Sequence, residues 1–147
     1  MIIYQREVIS IPAADSYCLI MRHKIHAHPD TRGFSYKTAK YYTFRKRGGI
    51  MQYVFECDDI IKLRPYTNDC ELIKNPEIRT RLKNYIRDRL INYEFANKNV
   101  DFKFYLLREV YELPHEPKLP RQRNHTYFHL SDLLSGENYP EPDRHRT

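Results

Sequence analysis

The stretch that decides the fold is KYYTFRKRGGIMQYVFE, which occupies residues 40–56. Aromatic and β-branched residues alternate with polar ones on both sides of a polar tip, and two adjacent glycines lie at the end of that tip. This pattern is typical of a β-hairpin. We therefore expect strands over residues 40–45 and 50–56, joined by a basic tip at residues 45–49.

Other parts of the chain carry weaker strand patterns. Five segments rich in β-branched or aromatic residues predict further strands, at 2–11, 17–25, 60–63, 102–113 and 127–130. Residues 26–38 are polar and contain a proline and a glycine, so they predict an exposed loop. Asp58 and Asp59 indicate a turn before the short strand at 60–63.

One segment predicts a long amphipathic helix. Asn75 is a suitable N-cap, Pro76 suits the first helical position, and Glu77 favours the positive end of the helix dipole. Apolar residues then recur on a single face as far as residue 93. The opposite face carries five basic residues: Arg79, Arg81, Lys83, Arg87 and Arg89.

These elements predict an α+β protein. A small mixed or barrel-like sheet of about six or seven strands would accompany the long helix. The chain has 147 residues, the usual size of one domain. We expect a single domain over residues 1–136, followed by a flexible C-terminal tail at 137–147 that is rich in proline and charge.

Composition excludes several classes of protein. The four glycines are not spaced as a dinucleotide-binding fingerprint or a phosphate-binding P-loop. No apolar stretch reaches transmembrane length and the first twelve residues do not resemble a signal peptide, so we expect a soluble cytoplasmic protein without membrane contact. The three cysteines form no CxxC pair, so neither a disulfide framework nor a structural zinc site is expected.

The positive charge is concentrated in one part of the sequence. The formal net charge is +6, and residues 20–50 contain eight basic residues against one acidic residue. A basic segment of this kind favours a polyanionic partner, because each phosphate contact releases counterions. Aromatic residues interleave with these cations, and nucleobases stack on aromatic rings.

The sequence therefore predicts a nucleic-acid-binding module without catalysis of its own. The predicted phosphate contacts are Arg32, Lys37, Lys40, Arg45, Lys46 and Arg47. The predicted base-stacking residues are Phe34, Tyr36, Tyr42 and Phe44.

The stretch at residues 40–60 resembles the central hairpin of PUA-like barrel domains of the EVE and ASCH types. In those families an aromatic strand leads through a tight turn into a Gly-Ile-aromatic strand, and residues 102–107 and 128–134 are similar to their C-terminal halves. The resemblance covers most of the chain and consists of hydrophobic patterning. It implies a pocket beside the sheet that accepts a base or nucleoside, such as a modified base flipped from a duplex.

A metal-dependent nuclease is an alternative. Asp101 and Lys103 form an acidic-x-lysine element in which the carboxylate would hold magnesium and the lysine would orient water, with Asp59 as a further ligand. Only this alternative requires a cofactor, Mg²⁺. His26, His28 and Asp30 also have metal-ligand spacing, although further ligands would have to come from elsewhere.

Two other interpretations remain open. Residues 121–126 form a basic cluster that contains a candidate general base, His125. The basic loop could also engage an acidic protein surface, in which case the chain would be a protein-binding adaptor or inhibitor. The sequence leaves the oligomeric state and the choice between DNA and RNA open.

Overall fold

The structure is a computed structural model that describes residues 3–31, 34–92, 95 and 99–144. These residues form an α+β fold with six strands, three α-helices and one 3-10 helix. The elements in chain order are β1 (Arg6–Pro12), α1 (Tyr17–His23), β2 (Ile25–Pro29), β3 (Ala39–Lys46), β4 (Ile50–Leu63), the 3-10 helix (Asp69–Leu72), α2 (Pro76–Asn92), β5 (Phe102–Glu112), β6 (Thr126–Phe128) and α3 (Leu130–Leu134).

The strands form a mixed sheet in the order β2-β5-β4-β3-β1-β6. β1 runs parallel to β3, whereas β1 with β6, β2 with β5, and β3 with β4 are antiparallel pairs. The predicted fold class, the mixed sheet and the strand number are confirmed.

The predicted hairpin is confirmed as β3 and β4. Tyr42 pairs with Phe55 and Lys46 pairs with Ile50, with a register shift between Thr43 and Arg45. The tip therefore lies at residues 47–49, where Gly48 and Gly49 have φ values of +88° and +78°. Such values are accessible to glycine and strained for other residues.

Three local predictions are wrong. The predicted strand at 17–25 is α1 followed by β2, because Lys24 with φ 55° ends the helix and redirects the chain. His26 and His28 belong to β2 rather than to an exposed loop, and pairing with β5 buries them. The predicted turn at residues 58–59 lies in the interior of β4. Both aspartates are exposed there, so the strand can continue through them without burying a charged side chain.

The described chain divides into two compact units. Unit 1 comprises residues 3–17, 36–57 and 108–144, and unit 2 comprises the remaining described residues between 18 and 107. The expected single domain over residues 1–136 stays a prediction. Among the described residues, no helix is long and apolar enough to cross a bilayer.

Unit 2 has a core between α2 and the β2 and β5 strands. Leu82 and Tyr85 of α2 are fully buried among residues such as Ile25 and Phe104. The predicted N-cap is confirmed, since Asn75 Oδ1 accepts the backbone N–H groups of Glu77 and Ile78 at 2.9 and 3.2 Å.

One residue of the predicted polar helix face lies inside unit 2. Arg89 is only 8% exposed, and its guanidinium donates to Ala27 O and Tyr85 Oη. The periodicity of α2 identified its apolar face correctly but could not show that part of the basic face is also covered.

Unit 1 has a separate core around β1, β4 and β6. Its buried members include Val8, Val54, Leu113, Phe128 and Leu133.

Residues 138–144, part of the predicted flexible tail, are bonded to unit 1. Asn138 O accepts the N–H of Lys118 at 2.8 Å, and the N–H of Asp143 donates to Tyr127 O at 2.6 Å. We call this stretch the 138–144 segment.

Candidate functional site

A groove lies in unit 1 between the hairpin tip and the loop that precedes β6. Its volume is about 430 Å³. We call it the tip groove, and its lining consists of Pro12, Ala13, Ala14, Arg45, Lys46, Arg47, Gly48, Gly49, Leu119, Pro120, Arg121, Gln122 and Arg123. Among the residues that the structure describes, no acidic side chain lines it.

Backbone hydrogen bonds fix the two walls of the tip groove to each other. Leu119 N donates to Gly49 O and Met51 N donates to Pro117 O, both at 2.9 Å. A Cβ atom at Gly49 would lie 2.4 Å from Leu119 O, so this close approach requires glycine. The spacing of the walls is therefore set by the fold.

Besides the buried Arg45, four basic side chains belong to the lining. Lys46 and Arg47 come from the tip, and Arg121 and Arg123 come from the opposite loop. Arg47, Arg121 and Arg123 are exposed and Lys46 is half-buried. Within the described part of the chain, no carboxylate forms an ion pair with any of the four. The groove therefore presents uncompensated positive charge from two segments that are far apart in the sequence.

Arg45 has a structural position beneath the groove. It is 2% exposed, and its guanidinium donates to Ser10 O, Ser10 Oγ and Asn124 O at 3.2, 3.0 and 2.6 Å. Burial lowers the pKa of Arg45 to about 10. Its predicted role as a phosphate contact does not fit this position, because the guanidinium is used to hold β1 against the loop before β6.

A second recess of about 420 Å³ adjoins the tip groove and shares Leu119, Pro120, Arg121 and Gln122 with it. His125 and Tyr127 line the recess. The His125 ring lies 4.9 Å from that of Tyr36 and 5.6 Å from that of Tyr127, in edge-to-face geometry. We call this second space the ring recess.

The charge state of His125 follows from its surroundings. Burial, and to a lesser extent the nearby charge of Arg45, lowers the pKa of the half-buried His125 imidazole below 6.5. The ring is therefore neutral near pH 7, and it offers an aromatic face in the recess rather than a charge.

The other predicted binding residues are dispersed. Lys37 is half-buried and its backbone N–H donates to Tyr127 Oη at 3.0 Å. Lys40 is exposed, with its Nζ 5.3 Å from the centre of the Tyr41 ring. Arg32 lies outside the described residues. Of the predicted cations, Lys46, which is half-buried, and Arg47, which is exposed, line the tip groove.

The predicted stacking residues also separate. Tyr42 and Phe44 are 6% and 1% exposed, so neither offers a ring face to a ligand. Phe34 belongs to unit 2, where it stacks on His28 with ring centres 5.0 Å apart. Tyr36 alone of the four lies beside the ring recess.

The residues of the nuclease alternative have other partners. Asp59 Oδ1 accepts the N–H of Ile60 at 2.8 Å. Asp101 lies 3.4 Å from the Nε of Arg64, and Lys103 lies 3.8 Å from Asp30. Within the described residues, no group of three potential ligands is arranged to hold a metal.

The histidine pair of β2 is also part of the interior. His28 Nδ1 lies 2.7 Å from Pro29 O, and His28 Nε2 lies 2.8 Å from Tyr105 Oη. Burial lowers the pKa of His26 to about 3, with smaller contributions from the charges of His28 and Arg89. These contacts hold the imidazoles within unit 2.

Sequence reasoning identified the cluster at residues 121–126 but did not connect it with the hairpin tip. Arg121 and Arg123 were absent from the predicted contacts, as was Arg144, which lines the ring recess. The signal was a run of cations directly after a proline-rich loop, but nothing in the sequence showed which strand that loop would face.

No family model and no curated protein matches the chain. Among solved structures, the crystal structure of a mutant ZmASCH protein from Zymomonas mobilis is similar to it, with a TM-score of 0.47 and 9% sequence identity. The match covers 87% of this chain and 92% of that chain. The ASCH type is one of those that the pattern at residues 40–60 resembles. At this identity no residue role is carried over.

Proposed function

We propose that unit 1 binds nucleic acid, with the phosphate backbone held in the tip groove. The observation that carries this proposal is that Lys46 and Arg47 on one wall, and Arg121 and Arg123 on the other, line one groove, and that no acidic side chain of the described residues lines it. Arginine forms bidentate bonds with phosphate oxygens, and each neutralised phosphate releases counterions.

The size of the groove favours one strand rather than a duplex. A space of about 430 Å³ accepts a few phosphates and their sugars, whereas a duplex would contact only the outer ends of the cations. Binding between two walls therefore suits an unpaired strand or the end of a duplex.

The ring recess supports a contact with a base. Tyr36, His125 and Tyr127 lie where the base of a nucleotide would enter if its phosphate lay beside Arg121, which lines both spaces. Stacking on such rings contributes about 1–3 kcal/mol per base. We therefore propose that the ring recess is the base pocket that the resemblance to PUA-like domains implies.

The test measures the binding of fluorescently labelled single-stranded RNA, single-stranded DNA and duplex DNA by anisotropy, over a range of salt concentrations. The variant Arg47→Ala/Arg123→Ala removes one cation from each wall. Its control, Lys74→Ala/Arg87→Ala, removes two exposed cations from unit 2 and has the same net charge. We expect the groove variant to bind more weakly and its salt dependence to become shallower by about one unit of slope per lost contact.

Equal binding by the groove variant and its control would overturn the proposal. A gel of the same samples with and without Mg²⁺ tests the alternative function, since metal-dependent shortening abolished by Asp101→Ala would instead support a nuclease. If no nucleic acid binds at any salt concentration, an acidic protein partner becomes the better account of the groove.

A further inference from the structure

Asp143 is a buried carboxylate next to the proposed site. Its side chain is 8% exposed, with Oδ2 at 4.0 Å from Arg6 Nε and Oδ1 at 3.6 Å from His129 Nε2. The segment that carries it is not a helix or a strand. The described backbone hydrogen bonds between this segment and the rest of unit 1 are those of Asn138 O and Asp143 N.

The surroundings of Asp143 would suit an anion. Arg6, Lys40 and His129 line a space of about 390 Å³ together with Tyr4, Gln5, Glu7 and Asp143. The Arg6 guanidinium is 5% exposed and lies 5.5 Å from the centre of the Tyr127 ring. We call this space the Arg6 seat.

The second acid of the Arg6 seat has its own partners. Glu7 Oε1 accepts the N–H of Leu130 at 2.8 Å and lies 3.7 Å from His129 Nδ1. It therefore faces His129, whereas the carboxylate that lies 4.0 Å from Arg6 Nε is that of Asp143. The negative charge that would compete with a phosphate for Arg6 is therefore that of Asp143, on the 138–144 segment.

The same segment borders the proposed nucleic-acid site. Pro142, Asp143 and Arg144 form part of the lining of the ring recess, and Asp143 also lines the Arg6 seat. Tyr127 lies between these spaces, since it lines the ring recess and its ring faces Arg6. A strand that passes through the ring recess would next meet Asp143.

We propose that Asp143 is a built-in competitor that occupies a second phosphate site, the Arg6 seat, and that bound nucleic acid displaces it; this inference rests on the proposed function. A contact of 4.0 Å is long for an ion pair, whereas phosphate presents several oxygens in the geometry that a guanidinium binds best. Displacement requires the release of Asp143 from Tyr127 O, one of the two described backbone hydrogen bonds that attach the 138–144 segment, and a local opening of this kind costs less than global unfolding.

The experiment compares Asp143→Asn with Glu141→Gln. Each variant removes one negative charge from the same segment, but Glu141 is exposed and does not line the Arg6 seat. We expect Asp143→Asn to bind labelled single-stranded RNA or DNA about fivefold or more tightly than Glu141→Gln, which is the usual lower range of coupling between two sites. Its salt dependence should also be steeper by about one unit of slope.

Lys40→Ala, made in the wild type and in the Asp143→Asn protein, tests whether the gain in affinity arises at the Arg6 seat. Lys40 is exposed in the same seat, so Lys40→Ala tests the site without removing a buried group. We expect Lys40→Ala to reduce the affinity of the Asp143→Asn protein more than that of the wild type, because Lys40 contacts phosphate only when the seat is open.

The outcomes separate this inference from the proposed function. If Arg47→Ala/Arg123→Ala weakens binding but Asp143→Asn binds no more tightly than Glu141→Gln, the competitor role is wrong and the tip groove stands. If neither the wild type nor Asp143→Asn binds nucleic acid, both proposals are wrong.

Discussion

Several arginines of this chain act as hydrogen-bond donors to the backbone. Arg81 donates to the carbonyl oxygens of His23, Lys24 and Leu107 at 3.1, 2.6 and 3.0 Å. Arg89 does the same for Ala27 of β2. Carbonyl groups near β2 are thus satisfied by guanidinium groups of α2, which places these arginines in the architecture of unit 2 rather than in a binding surface.

Replacement of Arg81 tests this role. Arg81→Ala removes a donor from three carbonyl groups, of which Lys24 O still accepts the N–H of Leu107. We therefore expect the free energy of unfolding to fall by about 2 kcal/mol. Arg87→Ala, on the exposed face of the same helix, should change it by less than about 0.5 kcal/mol. Urea unfolding of both variants measures the difference, and equal stabilities would contradict the role given to Arg81.

The buried His26 makes stability depend on pH. The pKa of His26 is about 3 in the folded protein, whereas its ordinary value is 6.5. Between these two pH values the unfolded chain therefore binds more protons than the folded protein. The stabilisation that comes from keeping His26 neutral is complete above pH 6.5 and decreases as the pH falls, by up to about 1.4 kcal/mol per pH unit.

His26→Gln removes this titration. We expect its unfolding free energy to fall less steeply than that of the wild type between pH 6 and pH 4, measured by urea unfolding at each pH. Above pH 7 the two curves should be parallel, which is the internal control. A wild-type slope that the substitution leaves unchanged would show that other groups cause the acid sensitivity.

At the level of elements, the hairpin shows what local pattern predicts well. Alternation and two adjacent glycines located β3, β4 and their turn because both signals are local. The same glycines have a second role that the pattern could not show. Gly49 lies against the backbone of Leu119, and that approach depends on where a distant loop folds.

The two glycines give a matched pair of variants. Gly48→Ala has room for a Cβ and should cost only backbone strain, about 1–2 kcal/mol. Gly49→Ala adds a clash with Leu119 O and should cost about 1–3 kcal/mol more. Thermal unfolding measures both, and Gly49→Ala should also weaken nucleic-acid binding because one wall of the tip groove moves. Identical melting temperatures would show that the tip and loop are not held together as described.

For the molecule as a whole, the distribution of charge along the sequence did not show which cations lie together on the surface. Residues 20–50 contain the basic surplus, yet Arg22 is paired with Asp88 at 2.6 Å and Arg45 is buried. The tip groove instead combines residues 46–47 with residues 121–123. Such a combination depends on pairing between distant segments, so composition predicted a polyanion binder without predicting which cations lie together.

Truncation of the chain tests whether the folded domain ends at Gly136 or includes the 138–144 segment. A chain that ends at Gly136 loses the backbone bonds of Asn138 and Asp143 and the burial of Pro140. We expect it to be less stable by about 2 kcal/mol. That corresponds to a melting temperature lower by roughly 4–8 °C.

A chain that ends after Arg144 is the control for this truncation and should retain those bonds. An unchanged melting temperature after truncation at Gly136 would instead support the expected domain boundary there.

The pairing of β1 has a consequence for synthesis. Of the described strands, β1 is synthesised first and one of its neighbours, β6, is synthesised last, and Val8 pairs with Phe128. At about 5–20 residues per second, that side of β1 has no β6 partner until the segment between the two strands has been synthesised. An unpaired strand edge is a template for other chains. We therefore expect neighbouring nascent chains to be prone to pairing along this edge of β1 until β6 emerges.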